Sequence, residues 1–268
     1  MSSDGLVSAD VESANGECLS NGGAVPLPSR SGGADIEAAC GHSGRAVLRP
    51  EPAPSRAQRA VNKVSEWHFS GVLCWGDKQP QRLNFESLLE YQAALCAIYR
   101  PGFEDIREQV GPVSLQLPDG RRKLHYIDFC ATYRGGHRIG IAVKPEVWSQ
   151  TPAFKNEMTA LLMAGQSVFF DRLVVIGKRN IDPDELANAE LFHAARFSDP
   201  REDHAVRVAI AKMVSPLTIG QMIAMGEAEG MTLRGVARAI HRGQLRLLTP
   251  GRITTDSAVM PSSLEGAA

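Results

Sequence analysis

The feature that most restricts this chain is a run over residues 113–144 in which three hydrophobic stretches are separated by two short turn signals. Val113-Ser114-Leu115-Gln116-Leu117 is followed by Pro118-Asp119-Gly120. A stretch from Lys123 to Thr132 is followed by Arg134-Gly135-Gly136, and Arg138-Ile139-Gly140-Ile141-Ala142-Val143-Lys144 closes the run. Turns this short leave no room for the crossover that a parallel pair requires, so an antiparallel meander is predicted. Before it, from Gln81, the residues Phe85, Leu88, Leu89, Gln92, Cys96 and Tyr99 recur at helical spacing until Arg100-Pro101-Gly102. After it come a helix from Pro152 to Gly165, a buried strand Arg172-Leu173-Val174-Val175-Ile176, and a helix with Asp182 as N-cap and Pro183 at its first position. The order helix, three strands, helix, strand, helix predicts an α/β fold, a mixed sheet flanked by helices.

The flanks read differently. Residues 1–55 are rich in Gly, Ser, Ala and Pro without a hydrophobic period, and are expected to be a disordered arm. The sheet domain is assigned to 56–200. From about Ser215 two short helices are expected, at Thr218–Ala228 and Leu233–Arg242, then a hairpin of Leu245-Arg246-Leu247-Leu248 and Arg252-Ile253-Thr254. Two helices and a hairpin suggest a small winged-helix-like domain over 215–257, followed by a frayed tail at 258–268. The net charge of -1 decides nothing about a nucleic-acid partner, so local charge must. Cys18, Cys40, Cys74, Cys96 and Cys130 are scattered, with no CxxC pair, which suggests reduced thiols and a cytoplasmic location. No apolar run reaches about 18 residues, and the first residues lack a signal-peptide pattern, so neither a membrane span nor a membrane partner is expected.

Side chains alternate along a strand. On the third strand Ile139, Ile141 and Val143 point one way; Gly140, Ala142 and Lys144 point the other. The second face is small, ends in an ammonium, and is expected to leave room for an approaching group. On the strand before it, Asp128 stands among Tyr126, Ile127, Phe129 and Cys130. A carboxylate there is costly to bury unless it is paired or binds a metal. An acid on one strand, a lysine ending the next and an acid on the preceding helix suit phosphodiester hydrolysis. A divalent ion held by carboxylates neutralises the phosphate and activates water, and a lysine offsets transition-state charge. Hard oxygen ligands point to magnesium, or manganese.

Ser87-Leu88-Leu89-Glu90, then Asp105-Ile106-Arg107-Glu108-Gln109, then Asp128-Phe129, then Val143-Lys144-Pro145, in this order and approximate spacing, resembles the TnsA-type endonuclease subunit of heteromeric transposases. The resemblance covers roughly residues 80–195. It implies a restriction-endonuclease-like domain that nicks DNA with a divalent metal, beside a DDE-type transposase and an ATPase regulator. It implies Glu90 as the helix acid, Asp128 as the central metal ligand and Lys144 as the catalytic lysine, with Glu86 as second choice for the helix acid. Two residues before the lysine that family carries Gln or Glu; here stands Ala142, whose methyl group ligates nothing. The Val143 carbonyl remains as a metal ligand, or Glu146 from the next turn.

Basic residues complete the reading. Arg121, Arg122, Lys123, His125, Arg134, His137 and Arg138 surround the two turns of the meander. Arg234, Arg238 and Arg242 are four apart, share one helix face, and have no acid among them. Both sets are expected to meet DNA or a partner protein. Taken singly, Glu86 and Glu90 read equally as the solvent face of a helix, and Lys144 as a strand-end surface charge. His193 and His204 have no partner at metal spacing. Trp67, Trp75 and Trp148 read as packing anchors, with Trp148 close enough to Lys144 to line a cleft. Three functions stay open, the first two being a magnesium-dependent endonuclease and a nuclease-derived protein that has lost cutting and binds DNA or transposition partners. Ala142 favours the second. A host protein that keeps only the fold is the third.

Overall fold

The computed structural model describes residues 50–59 and 69–264. The arm expected at 1–55 lies outside the described residues up to position 49, as does Trp67. Its last positions, with the residues after them, lie along the sheet: Ala53 N–H donates to the Pro80 carbonyl (2.8 Å), and Arg82 N–H to that of Ala53 (3.0 Å). Ser55 donates to the Glu108 carboxylate, and Arg56 grips Asp105 through two bonds of 3.1 and 2.5 Å. Composition alone misses this ordering, because the partners lie some fifty positions away.

A hairpin of β1 (Gly71–Trp75) and β2 (Gln81–Phe85) comes first. The helix predicted from Gln81 instead begins after it, as α1 (Leu88–Tyr99). Residues 81–85 alternate, burying Leu83 and Phe85, and Ser87 starts the helix by accepting the Glu90 N–H at 3.1 Å. Next come β3 (Phe103–Gln116), β4 (Arg122–Tyr133) and β5 (His137–Val143), an antiparallel meander as the short turns predict. Helices α2 (Glu146–Ser149) and α3 (Pro152–Gly165) lead to β6 (Arg172–Ile176), which joins β5 in parallel. Then follows α4 (Pro183–Ala195), capped by Asp182 as predicted. The sheet order is β3-β4-β5-β6, a four-stranded mixed sheet flanked by helices.

Two apolar clusters hold it. In one, Leu95 and Ile98 of α1 and Ala189 of α4 meet Ile106, Phe129, Ala131, Ile141 and Val143. In the other, Met158 and Leu161 of α3 and Phe170 meet Leu115, Ile127, Cys130 and Ala142. The second cluster corrects the expectation of an open face on the third strand. A Cβ on Gly140 would stand 2.8 Å from Cδ1 of Phe170, and Ala142 is buried, so the small residues make way for that ring and not for a ligand.

The first meander strand is also longer than predicted, beginning at Phe103. Its early half carries Glu108 and Gln109, almost fully buried, and is interrupted by register shifts. Gln109 adopts a φ of 48°. Its side-chain oxygen accepts from Arg59 Nε at 2.9 Å, and Gly111 N–H donates to Gln58 at 2.6 Å. The segment before the hairpin thus satisfies polar groups that the bulged ladder leaves open.

The C-terminal part contains α5 (Pro200–Lys212), β7 (Leu217–Thr218), α6 (Ile219–Met225), α7 (Leu233–His241), β8 (Leu245–Leu247) and β9 (Ala258–Pro261). Helix α5 was not predicted, although Asp199-Pro200 repeats the cap signal of Asp182-Pro183. The two short helices fall where expected. The second hairpin strand does not: 252–254 is irregular, and the predicted tail supplies β9, the central strand of a sheet ordered β7-β9-β8. Val259 is fully buried there, which a frayed end would not be. Leu191 and Phe192 of α4 pack against this cluster, so it is continuous with the main body. Among the described residues no helix is long and apolar enough to cross a membrane.

Candidate active site

Strands β4 and β5 pair as far as Phe129↔Ile141. Just past that pair the Val143 N–H donates to Asp128 Oδ2 at 2.7 Å. The half-buried Asp128 carboxylate therefore sits at a fork between two strands, held by backbone. Burial pushes its pKa up to about 7, against the pull of the Val143 bond; Glu90 adds to the rise, Lys144 opposes it, and Glu86 adds again. Glu90, Lys144 and Glu86 thus each lie within electrostatic reach of Asp128.

Glu90 is half-buried near the N-terminus of α1, and burial raises its pKa. It also has a structural task. Its Oε2 accepts the Glu86 N–H at 2.8 Å and its Oε1 accepts from Ser87 Oγ at 3.2 Å, while Ser87 caps the helix. This is a variant of the reciprocal S-x-x-E capping arrangement, and the spacing Ser87–Glu90 was legible as such. Each carboxylate oxygen has two acceptor sites, so capping leaves one on each. Glu86 pairs with Arg59 at 2.8 Å, a cation contributed by the segment that precedes the hairpin.

Lys144 is exposed, one residue past β5, and its backbone N–H donates to the Ile176 carbonyl at 2.9 Å. Val143 buries its side chain in the first apolar cluster. Glu146 turns elsewhere, accepting the Arg179 N–H at 2.7 Å. Trp148 is 61% exposed, which corrects its reading as a packing anchor. Among the described residues no three His, Cys, Asp or Glu side chains form a group able to hold a metal ion. The shortfall coincides with Ala142, which supplies no donor.

One group beside the lysine escaped the sequence reading. Glu157 of α3 accepts from Lys123 at 2.7 Å and meets His125 Nδ1 at 2.8 Å. Burial lowers the His125 pKa, partly offset by Glu157, and Lys144 contributes to the lowering. Lys123, expected to meet DNA, is therefore already paired. Glu157 lies 32 positions from His125, and nothing local marks the pair.

The basic sets divide. Arg121 and Arg122 stand at one end of β4 and Arg134 and Arg138 at the other, about 35 Å apart along the strand, so they do not form one patch. Arg121 pairs with Asp119 at 2.7 Å and Arg138 with Asp171 at 3.0 Å; Arg122 and Arg134 are exposed. The arginine face of α7 is corrected more strongly. Arg234 is exposed, but Arg238 is buried, held by Glu202 at 2.6 Å, Asp203 at 2.7 Å and the Ala195 carbonyl at 3.2 Å. Arg242 joins Asp203 at 3.0 Å. The acids missing from the local sequence come from α5. No protein-family model matches this chain, and no curated protein matches it.

Proposed function

We propose that this protein is a metal-dependent DNA endonuclease of the TnsA type, with a restriction-endonuclease-like fold, acting in transposition or a related mobile element. The observation that carries the reading is the Asp128 carboxylate at the β4–β5 fork, under the combined influence of Glu90 and Lys144. A carboxylate covered without an ion-pair partner among the described residues suits a cation, and the donors around it are hard oxygens. They fit a magnesium ion that keeps part of its own water shell, since such ions are commonly held through one or two carboxylates. Asp128, the free acceptor sites of Glu90 and the Val143 carbonyl would hold it. Bound there, magnesium or manganese would neutralise a scissile phosphate and lower the pKa of bound water.

The chain's own groups do the rest. The Val143 N–H fixes the orientation of Asp128. The capping bonds fix Glu90. The Lys144 ammonium, exposed at the end of β5, offsets negative charge as the phosphodiester is attacked. Arg122 and Arg134 are exposed and available for backbone phosphates, and Arg234 for DNA or for a partner such as a DDE-type transposase or an ATPase regulator. The test is nicking of supercoiled plasmid with magnesium or manganese. Wild-type protein is expected to nick; Asp128→Asn and Lys144→Ala are expected to lose nicking while remaining folded.

A second reading, a nuclease-fold protein that binds DNA or transposition partners without cutting, is favoured by Ala142 and by the structural use of Glu90. Duplex binding that is insensitive to chelator, with no nicking at any metal concentration, selects it. Ala142→Gln does not serve as a rescue test, because that position is closed by Met158 and Phe170.

A further inference from the structure

A cavity of about 340 Å³, lined by none of Glu90, Asp128 and Lys144, is bounded by β1, α1, α4 and α7. Five rings line it: Trp75, Tyr99, Phe103, Phe192 and His241. They hold one another in place. Trp75 meets Phe103 edge-on at 5.2 Å; His241 stands 5.2 Å from Tyr99 and 5.1 Å from Phe192. The Tyr99 hydroxyl bonds His193 Nδ1 at 3.0 Å, and burial holds the His193 pKa down to about 4, leaving a neutral ring able to accept that bond. Protein interiors are otherwise close-packed, so a space of this size lined by mutually braced aromatic rings fits a planar ring.

The rim adds a polar requirement. Ser198 Oγ donates to Asp77 Oδ2 at 3.3 Å and accepts from Arg242 Nη2 at 2.6 Å. Asp77 and Arg242 both line the cavity, so a carboxylate and a guanidinium border it, linked through one hydroxyl. The first only accepts and the second only donates. Together they complement a ring edge on which N–H donors adjoin a carbonyl. Guanine carries such an edge; adenine has an amino group but no carbonyl.

The geometry points to a binding site for a guanine base in this cavity, stacked among the five rings, with its N–H edge on Asp77 and its carbonyl on Arg242. The site is separate from Asp128 and does not rest on the nuclease reading. The base belongs either to a free guanine nucleotide or to an unpaired guanine of a DNA strand.

The experiment is calorimetric titration of the full chain with GMP, with AMP, and with a short single-stranded adenine oligonucleotide carrying one guanine, against the same strand without guanine. Saturable binding of GMP roughly 10-fold or more tighter than AMP is expected if the base is free. Binding of only the guanine-bearing strand is expected if the base comes from DNA. In either case Asp77→Ala should abolish the preference for guanine, and His241→Ala should weaken binding of the preferred ligand several-fold. Should Asp77→Ala fail to fold, Asp77→Asn removes the same charge at constant size. The proposal is overturned if neither GMP nor the guanine strand binds saturably, if guanine and adenine bind alike, or if folded Asp77 variants keep the preference.

Discussion

Charge is buried in two regions of this molecule, and it is handled in opposite ways. Between α5 and α7, the Arg238 side chain is 5% exposed and meets two carboxylates, Glu202 and Asp203, that are themselves mostly covered. Arg242 adds a second cation to Asp203, so two cations face two acids. At the β4–β5 fork, burial raises the Asp128 pKa to about 7; Glu90 and Glu86 add to the rise, the exposed Lys144 opposes it, and Arg59 is taken up by Glu86. The first network closes around Arg238 and serves the fold, with Arg242 at its exposed edge, where it also lines the aromatic cavity. In the second, the Asp128 carboxylate is covered without an ion-pair partner among the described residues, and that cost is the argument for a cation-binding function.

The comparison can be broken most forcefully at Arg238. Replacing it by Ala leaves Glu202 covered without its cation and Asp203 with Arg242 alone, and about 3–5 kcal/mol of stability should be lost in chemical denaturation. A loss under about 1 kcal/mol would mean that the network is not the closed structural unit described. The opposite sign is expected at the fork. The folded-state pKa of Asp128 is raised, so its contribution is fully present below the ordinary carboxylate value and is lost as pH rises through about 7. Asp128→Asn keeps an acceptor for the Val143 N–H and removes the charge. It should therefore stabilise the metal-free protein at pH 8 by something on the order of 2 kcal/mol, with little effect at pH 4, while abolishing nicking. Urea denaturation at the two pH values reads the difference; a destabilised variant at pH 8 contradicts the assignment.

Smaller effects sharpen the picture around the fork. Ala142→Gln should destabilise by about 1–3 kcal/mol, because it forces an amide against Met158 and Phe170. If thermal melting shows it as stable as wild type, that face has room and the site can recruit another ligand there. Ser87→Ala removes a helix cap worth about 1 kcal/mol and loosens one bond on Glu90. Its melting temperature should fall slightly, and any nicking activity should shift its metal requirement, since Glu90 would lose part of its orientation.

Legibility differed by element for identifiable reasons. Helix α3 and strand β6 were readable to the residue, since each has a strong period between Pro, Gly or turn signals. The start of α1 was misplaced because Phe85 fits the helical period of Leu88, Leu89 and Gln92 as well as the alternation it shares with Leu83. Helix α5 was missed despite its Asp-Pro signal, and β9 was taken for a tail because its partners, β7 and β8, precede it by many positions. At the candidate site, Asp128 stood out locally as a carboxylate in an apolar strand, and the order of Glu90, Asp128 and Lys144 drew them together. Arg59 and Glu157 were invisible, since each matters through a partner brought near by folding.

The sequence by itself determined the meander, the span of α3, the cap of α4, and which strand and helix carry the candidate acids and lysine. These depend on periodicity, turn geometry and backbone capping, all of which act over a few residues. Only the tertiary structure decided that Gly140 and Ala142 make room for Phe170, that Arg238 is buried against acids from another helix, and that the segment ending at Arg59 completes the first strand. Burial and charge pairing are properties of surroundings assembled from distant positions, and a local pattern does not contain them.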